Sequence, residues 1–210
     1  MLTGPDALAR LREGNARFVD RLNGDETLNA ALPRPDPAAD QSPFAVILGC
    51  SDSRVPAEIV FDQGLGDLFV IRVAGNIVAP SQVGSVEFAV ERFGTRLVVV
   101  LGHTMCGAVE ATIEELERPD DKRSRHLAAI VDRIRPSVET LFETDLRDEP
   151  RELLRYAVRA NIRAAVAHLQ HGSAILESRI QRDGLMVVGA EYSLETGKVE
   201  FFEARVPARG

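Results

Sequence analysis

The 210-residue chain lacks the features that mark several classes of non-enzymatic protein. Its net charge is −7, so it has no basic surplus to neutralise phosphates, and we expect no binding to nucleic acid. No apolar stretch approaches the roughly 20 residues that a membrane-spanning helix needs, so no membrane partner is expected. Residues 1–6 have neither the basic nor the apolar region of a signal peptide, which predicts a cytoplasmic protein.

Cysteine is also scarce, and the two residues present stand in informative places. Cys50 follows an apolar run and opens the motif C-S-D-S-R, whereas Cys106 closes H-T-M-C, which begins at His103 after a second apolar run. In a reducing compartment such cysteines are more often metal-binding or catalytic than disulfide-bonded. Two thiolates and an imidazole suit zinc, and three protein ligands leave one coordination position open. The sequence therefore predicts a catalytic Zn²⁺ site at Cys50, His103 and Cys106.

Apolar runs alternate with helical patterns along the chain. The runs 44–48, 68–73 and 97–101 lack polar alternation, which is typical of buried parallel strands. A last strand, 185–189, is followed by a turn and a return strand that ends near residue 203. Helical patterns cover 7–22, 57–61, 81–93 and most of 107–180, with breaks expected at Pro119, Pro136 and Pro150. The pattern predicts a single α/β domain with a mostly parallel central sheet flanked by helices, an N-terminal helical arm and a C-terminal hairpin.

Within that domain we expect two parts. Residues 1–43 would form the N-terminal helix and a Pro-rich arm, and residues 44–210 the zinc-binding catalytic part. The stretch Asn23–Pro43 is polar and rich in proline, so we expect an extended loop or arm rather than a strand. It is either a solvated linker or an arm that lies on a partner subunit.

The predicted ligands fall where ligands bind in parallel sheets, beyond the carboxyl ends of the strands. Cys50 and His103 each come one residue after a glycine that closes an apolar run, so neighbouring strands would bring them together. Asp52 and Arg54 stand beside the first cysteine. A carboxylate there can accept a hydrogen bond from metal-bound water, and a guanidinium can hold that carboxylate by two hydrogen bonds. Asp52 and Arg54 are therefore the candidate catalytic pair.

These motifs resemble the β-class carbonic anhydrases. The resemblance is carried by C-S-D-S-R from Cys50, by D-L-F-V-I-R-V-A-G-N from Asp67 and by G-H-T-M-C-G from Gly102. Order and spacing agree from about Glu13 to the closing hairpin, which is nearly the whole chain. The resemblance implies a zinc lyase in which zinc-bound hydroxide attacks carbon dioxide to give bicarbonate and a proton.

The resemblance also implies further site residues and partners. Gln41 matches a glutamine near the zinc-bound ligand, and Phe69 and Phe88 match aromatic wall positions that reach the site across a dimer interface. Simple core packing is an equally good reading of the two phenylalanines. Gly107 would let backbone amides approach the metal. A homodimer or a homotetramer is implied, with carbon dioxide or bicarbonate as the small-molecule substrate.

Three questions remain open at this point. The fourth zinc ligand is either water in a working site or Asp52 in a closed one. Carbonyl sulfide or carbon disulfide is an alternative substrate, because related hydrolases share the zinc motif. A structural zinc site in an interaction protein is the alternative outside the enzymes, although three ligands beside Asp52 and Arg54 argue against it.

Overall fold

A mostly parallel sheet organises the chain, whose computed structural model describes residues 2–24, 41–118 and 124–202. Its strands lie in the order β2-β1-β3-β4-β5. All neighbouring pairs are parallel except β4 and β5, which form the antiparallel hairpin. The strands are β1 (Ala45–Gly49), β2 (Leu68–Arg72), β3 (Leu97–His103), β4 (Met186–Tyr192) and β5 (Val199–Phe201).

Helices cover both faces of this sheet. On one face α1 and α2 pack with the cluster that includes Leu11, Phe61 and Val99, and on the other face α3 to α7 pack with Val100 and Ile162. The helices are α1 (Gly4–Asn23), α2 (Ala57–Val60), α3 (Pro80–Phe93), α4 (Gly107–Glu117), α5 (Arg125–Phe142), α6 (Pro150–His171) and α7 (Ala174–Asp183). Short 3₁₀ turns occupy Ala74–Asn76 and Asp145–Asp148. No helix in the described ranges is long and apolar enough to cross a membrane.

The predicted fold class is confirmed. The single α/β architecture, the parallel strands and the closing hairpin all lie where the apolar runs and turns indicated. The N-terminal helix is longer than expected, because Thr3 caps it and its hydroxyl accepts a hydrogen bond from the Asp6 amide. The predicted arm Asn23–Pro43 falls mostly outside the described residues.

Two local expectations were wrong. Pro136 does not break a helix, because it lies inside the continuous helix α5. Its exposed position lets solvent compensate for the hydrogen bond that proline cannot donate. The strand predicted from the apolar run 97–101 does not end before Gly102 either. β3 continues through His103, because Gly102 and His103 keep parallel register with Glu191 and Tyr192 of β4.

Candidate metal centre and active site

Three predicted ligands converge at the carboxyl ends of two neighbouring strands. Cys50 directly follows β1, His103 is the last residue of β3, and Cys106 immediately precedes α4. Their candidate donor atoms all lie within 4.8 Å of one another, and the two sulfurs are 4.0 Å apart. All three side chains are buried, His103 completely. The arrangement can therefore hold one metal ion with two sulfurs and one nitrogen.

The His103 ring is oriented with one nitrogen available. Its Nδ1 lies 2.9 Å from the carbonyl oxygen of Thr104, to which it can donate a hydrogen bond. That bond selects the tautomer whose Nε2 carries the lone pair. Nε2 is buried and has no hydrogen-bond partner among the residues that the structure describes. A buried polar atom without a partner is costly, so this nitrogen fits a metal ligand.

The two cysteines form an electrostatically coupled pair. The hydrogen bond from Cys106 lowers the pKa of Cys50 to about 4, against the opposing effect of burial, and His103 and the Gly75 amide add to the lowering. Its interaction with Cys50 and its own burial raise the pKa of Cys106. The pair therefore keeps one proton, which a metal ion that takes both sulfurs as thiolates has to displace.

Asp52 faces this group and is held by Arg54. The guanidinium donates from Nε to Oδ1 at 2.9 Å and from Nη2 to Oδ2 at 2.7 Å, and the Arg54 backbone amide donates to Oδ1 at 2.9 Å. Arg54 thereby lowers the pKa of Asp52 below its usual range, so the carboxylate is ionised at neutral pH. Its Oδ2 lies 3.7 Å from Nε2 of His103. An oriented acceptor thus stands beside the three donor atoms.

Sequence reasoning missed two contacts that shape the turn carrying Cys50 and Asp52. Arg72, at the end of β2, donates from Nε to the Cys50 carbonyl oxygen at 3.1 Å and from Nη2 to the Asp52 carbonyl oxygen. The Gly75 amide donates to the Cys50 sulfur at 3.3 Å. Nothing in the local sequence around Arg72 indicates its contact with this turn. The A-G-N sequence around Gly75 is a turn signal, but it does not indicate a sulfur as the partner.

The remaining predicted site residues do not join the group within one chain. Phe69 is the register partner of Val46, four residues before Cys50, which corresponds to about 13 Å along the strand. It packs against Phe88, with ring centroids 6.1 Å apart, and Phe88 is half exposed. Gln41 precedes β1 and so lies toward the opposite end of the sheet.

Gly107 opens α4 next to Cys106, as expected. A Cβ atom there would meet nothing within 4 Å. In the described parts of the chain no close contact therefore requires glycine at that position, so packing does not explain why the residue beside Cys106 is a glycine.

Comparison with known proteins identifies the family to which this fold belongs. Residues 45–199 match the sequence model of the carbonic anhydrase family. Carbonic anhydrase 2 of Mycobacterium tuberculosis is 38% identical over 188 residues, which cover 90% of this chain and 87% of that protein. A carbonic anhydrase of Mycolicibacterium smegmatis is also 38% identical, over 193 residues that cover 90% and 89% of the two chains.

Solved structures place the chain within one class of that family. The β-carbonic anhydrase CafA of Aspergillus fumigatus superposes with a TM-score of 0.70 and 25% identity, covering 95% of this chain and 90% of that one. Tetrameric β-carbonic anhydrases of Sordaria macrospora share the fold, with a TM-score of 0.65 at 23% identity and coverage of 78% and 82%. The sequence matches, the structural neighbours and the parallel sheet lead to one conclusion: this chain is an enzyme of the carbonic anhydrase family and belongs to its β class.

Proposed function

We propose that Cys50, His103 and Cys106 hold a zinc ion and that the enzyme interconverts carbon dioxide and bicarbonate. The observation that carries this proposal is the convergence of two buried sulfurs with an unpartnered Nε2 beside the Asp52 carboxylate. When bound, zinc would supply a Lewis acid that makes hydroxide available near neutral pH and keeps one position open for it. The protein side chains then have to orient that nucleophile and keep the site in a single geometry.

The charge of the donor set makes this orientation important. Two thiolates and a neutral imidazole cancel the charge of a divalent ion, so this set acidifies water less than a set of neutral imidazoles would. An ionised carboxylate close to the open position would compensate, because it would accept a hydrogen bond from the nucleophile and hold it in one orientation. Asp52 has the required charge, and its 3.7 Å separation from Nε2 of His103 places it close enough.

Arg54 would keep Asp52 in the acceptor role rather than in the metal ligand role. Both carboxylate oxygens already receive hydrogen bonds from the guanidinium. To become a fourth ligand, Asp52 would have to give up at least one of these charge-assisted bonds. The contacts therefore favour Asp52 as an acceptor beside the metal rather than as its fourth ligand, and a closed site would require Arg54 to find another partner.

A second copy of the chain would complete the substrate pocket. β2 lies at an edge of the described sheet, and its half-buried Phe69 packs against the half-exposed Phe88. An apolar sheet edge of this kind favours pairing with another chain. We propose a homodimer, alone or within a tetramer, in which Gln41, Phe69 and Phe88 of one protomer face the metal centre of the other. Replacing Phe88 by Asp should shift the sedimentation coefficient to that of a monomer.

The two alternative functions make different predictions. A hydrolase of carbonyl sulfide or carbon disulfide would use the same donors, so only the substrate assay separates it from a carbonic anhydrase. A structural zinc site would need a fourth protein ligand. The nearest candidate, Asp52, is already bonded by Arg54, which weighs against that function.

A stopped-flow assay of carbon dioxide hydration on zinc-loaded protein is the direct test. We expect turnover well above buffer at alkaline pH, together with slower or absent hydrolysis of the two sulfur analogues. Cys106→Ser should lose bound zinc and turnover together, because the remaining donors are one thiolate and one imidazole. Wild-type protein that binds zinc but shows no hydration would reject the proposed reaction, and Cys106→Ser that keeps both properties would reject the ligand set.

A further inference from the structure

The backbone turn between β2 and α3 reaches the candidate metal centre. In this turn, Ala74–Asn76, the Gly75 amide donates to the Cys50 sulfur at 3.3 Å. Gly75 has a φ of 66°, in the left-handed region that favours glycine. A Cβ atom at Gly75 would lie 2.6 Å from Cδ1 of Ile134 and 3.1 Å from Cβ of Ala108. Side chains thus pack directly against the turn, and its amide has little freedom to move away from the sulfur.

A distant asparagine fixes the other side of the same glycine. Asn161, on α6, donates from Nδ2 to the Gly75 carbonyl oxygen at 2.8 Å. The amide of the same peptide group belongs to Asn76 and donates to the Val73 carbonyl oxygen at 3.0 Å. Hydrogen bonds therefore anchor the peptide group that follows Gly75 at both its carbonyl and its amide, whereas the Gly75 amide belongs to the preceding peptide group. With the following peptide group fixed and Ile134 and Ala108 close to the Gly75 Cα, only rotation about the φ and ψ of Gly75 can turn its amide away from the sulfur.

The surroundings of Asn161 make the contact specific. Asn161 is 3% exposed, and its neighbours on the same helix, Val158, Ile162 and Ala165, are buried and apolar. A buried amide costs free energy unless it is hydrogen bonded, so an apolar residue would pack here at lower cost. The polar side chain must therefore supply something that packing alone does not, and its described hydrogen bond leads to the turn that contacts Cys50.

We propose that Asn161 is a positioning residue for the metal centre, which acts by holding the Gly75 amide on the Cys50 sulfur. The inference rests on the proposed role of Cys50 as a zinc ligand. A hydrogen bond to a thiolate withdraws negative charge from the sulfur, so the metal would receive less electron density and remain a stronger Lewis acid. With two thiolates in the set, that moderation supports the reaction and also keeps Cys50 in place.

A matched control is available in the same chain. Asn15, on α1, is also buried, and its side chain exchanges hydrogen bonds only with backbone atoms in the contacts the structure describes. Its partners are the carbonyl oxygens of Val60 (3.1 Å) and Gly197 (2.9 Å) and the amide of Val199 (2.8 Å). None of these groups contacts Cys50, His103 or Cys106 in the described hydrogen bonds. Asn15→Leu therefore removes a buried structural amide without touching the metal centre.

The test uses Co²⁺ in place of zinc, because cobalt bound to thiolates gives a near-ultraviolet charge-transfer band. We compare the wild-type enzyme, Asn161→Leu and Asn15→Leu by that band and by the rate of Co²⁺ transfer to a chelator. Removing the hydrogen bond from the sulfur raises the energy of its lone pairs, so Asn161→Leu should shift the band to longer wavelength. It should also lose the metal about 10-fold faster, because Cys50 is no longer held in place and this loss of positioning outweighs the stronger donation from the sulfur. Asn15→Leu should lower the midpoint of urea unfolding but leave the band and the transfer rate at wild-type values.

The possible outcomes distinguish the positioning role of Asn161 from the role of Cys50 as a metal ligand. A wild-type enzyme without the charge-transfer band would reject the thiolate ligands themselves. A wild-type band that Asn161→Leu leaves unchanged, with an unchanged transfer rate, would overturn the role of Asn161 alone. Equal effects of Asn161→Leu and Asn15→Leu on both readouts would also overturn it, because they would reflect general destabilisation. If Asn161→Leu does not fold, Asn161→Ser removes the same donor with a smaller side chain, and the same expectations apply to it.

Discussion

A substitution at Gly102, the residue before His103, tests how the packing of α6 against β3 supports the metal centre. A Cβ atom at Gly102 would lie 2.5 Å from Cδ1 and 2.6 Å from Cγ1 of Ile162. Ile162 is fully buried, so it cannot swing away into solvent. Overpacking of this kind costs about 1–3 kcal/mol. Gly102→Ala should therefore lower the free energy of unfolding by about 1–3 kcal/mol and the melting temperature by roughly 2–12 °C.

A second variant, Ile162→Ala, removes the side chain that the added methyl group would contact. Ile162→Ala alone should cost about 2–5 kcal/mol, because it leaves a cavity in the core. In the double variant, the added methyl group at Gly102 occupies part of that cavity. The double variant should therefore be more stable than the sum of the two single effects predicts, by about 1–3 kcal/mol, as is typical of residues in contact. Urea unfolding of the four proteins at one fixed zinc concentration measures this coupling.

A glycine elsewhere provides the control for the same substitution. A Cβ at Gly84, inside α3, would meet nothing within 4 Å, so Gly84→Ala should be neutral or stabilising by up to about 1 kcal/mol. Strictly additive effects of Gly102→Ala and Ile162→Ala would refute the contact. Since His103 follows Gly102 directly, Gly102→Ala should also weaken zinc retention, and Ile162→Ala should restore part of it.

Three further predictions concern the carboxylate pair and the scaffold. Arg54→Leu should reduce hydration turnover by about 10-fold or more while zinc content is kept, whereas Arg155→Leu, which breaks an exposed pair with Glu152, should do neither. Because the folded pKa of Asp52 is lowered, its contribution to stability is present above about pH 4 and is lost as pH falls toward the folded pKa. The difference in urea midpoint between wild type and Asp52→Asn should therefore shrink between pH 7 and pH 3. Ser173→Ala should cost about 1 kcal/mol in urea unfolding, because the Ser173 hydroxyl accepts the Leu176 amide at the start of α7.

The elements that could be predicted from the sequence are those with a local signal. The three parallel strands were predicted from apolar runs whose ends are marked by glycine or by a change to polar residues. β1 and β3 are fully buried as expected, whereas β2 is only partly buried because it lies at an edge of the described sheet. The extension of β3 through His103 had no such signal, because it depends on pairing with Glu191 and Tyr192, nearly ninety residues later. The helix break predicted at Pro136 is absent because a local signal is overridden there: the packing of the apolar face of α5 outweighs the helix-breaking tendency of proline.

The same distinction between local signals and distant contacts applies to the candidate site. Its donor atoms come from side chains at strand ends, so residue type and spacing were enough to nominate Cys50, His103 and Cys106. The contacts that hold those side chains act through the backbone and come from far along the chain: Arg72 is 22 residues from Cys50, and Asn161 is 86 residues from Gly75. Backbone carbonyls and amides are the same at every position, so a residue that bonds to them leaves no chemical pattern in the sequence.

Donor residues and the residues that bind the backbone around them should affect the activity of the site in different ways. A change to a donor residue removes the metal outright, as we expect for Cys106→Ser, so it cannot tune the reaction. A change at Asn161 leaves every donor in place and alters only the charge that one sulfur presents, through the Gly75 amide at 3.3 Å. The same holds for Arg72, whose guanidinium fixes the Cys50 and Asp52 carbonyls without contacting the donor atoms. Graded differences in metal retention and turnover among related chains should therefore arise at these backbone-binding positions, because a substitution there alters the metal centre without removing a donor atom.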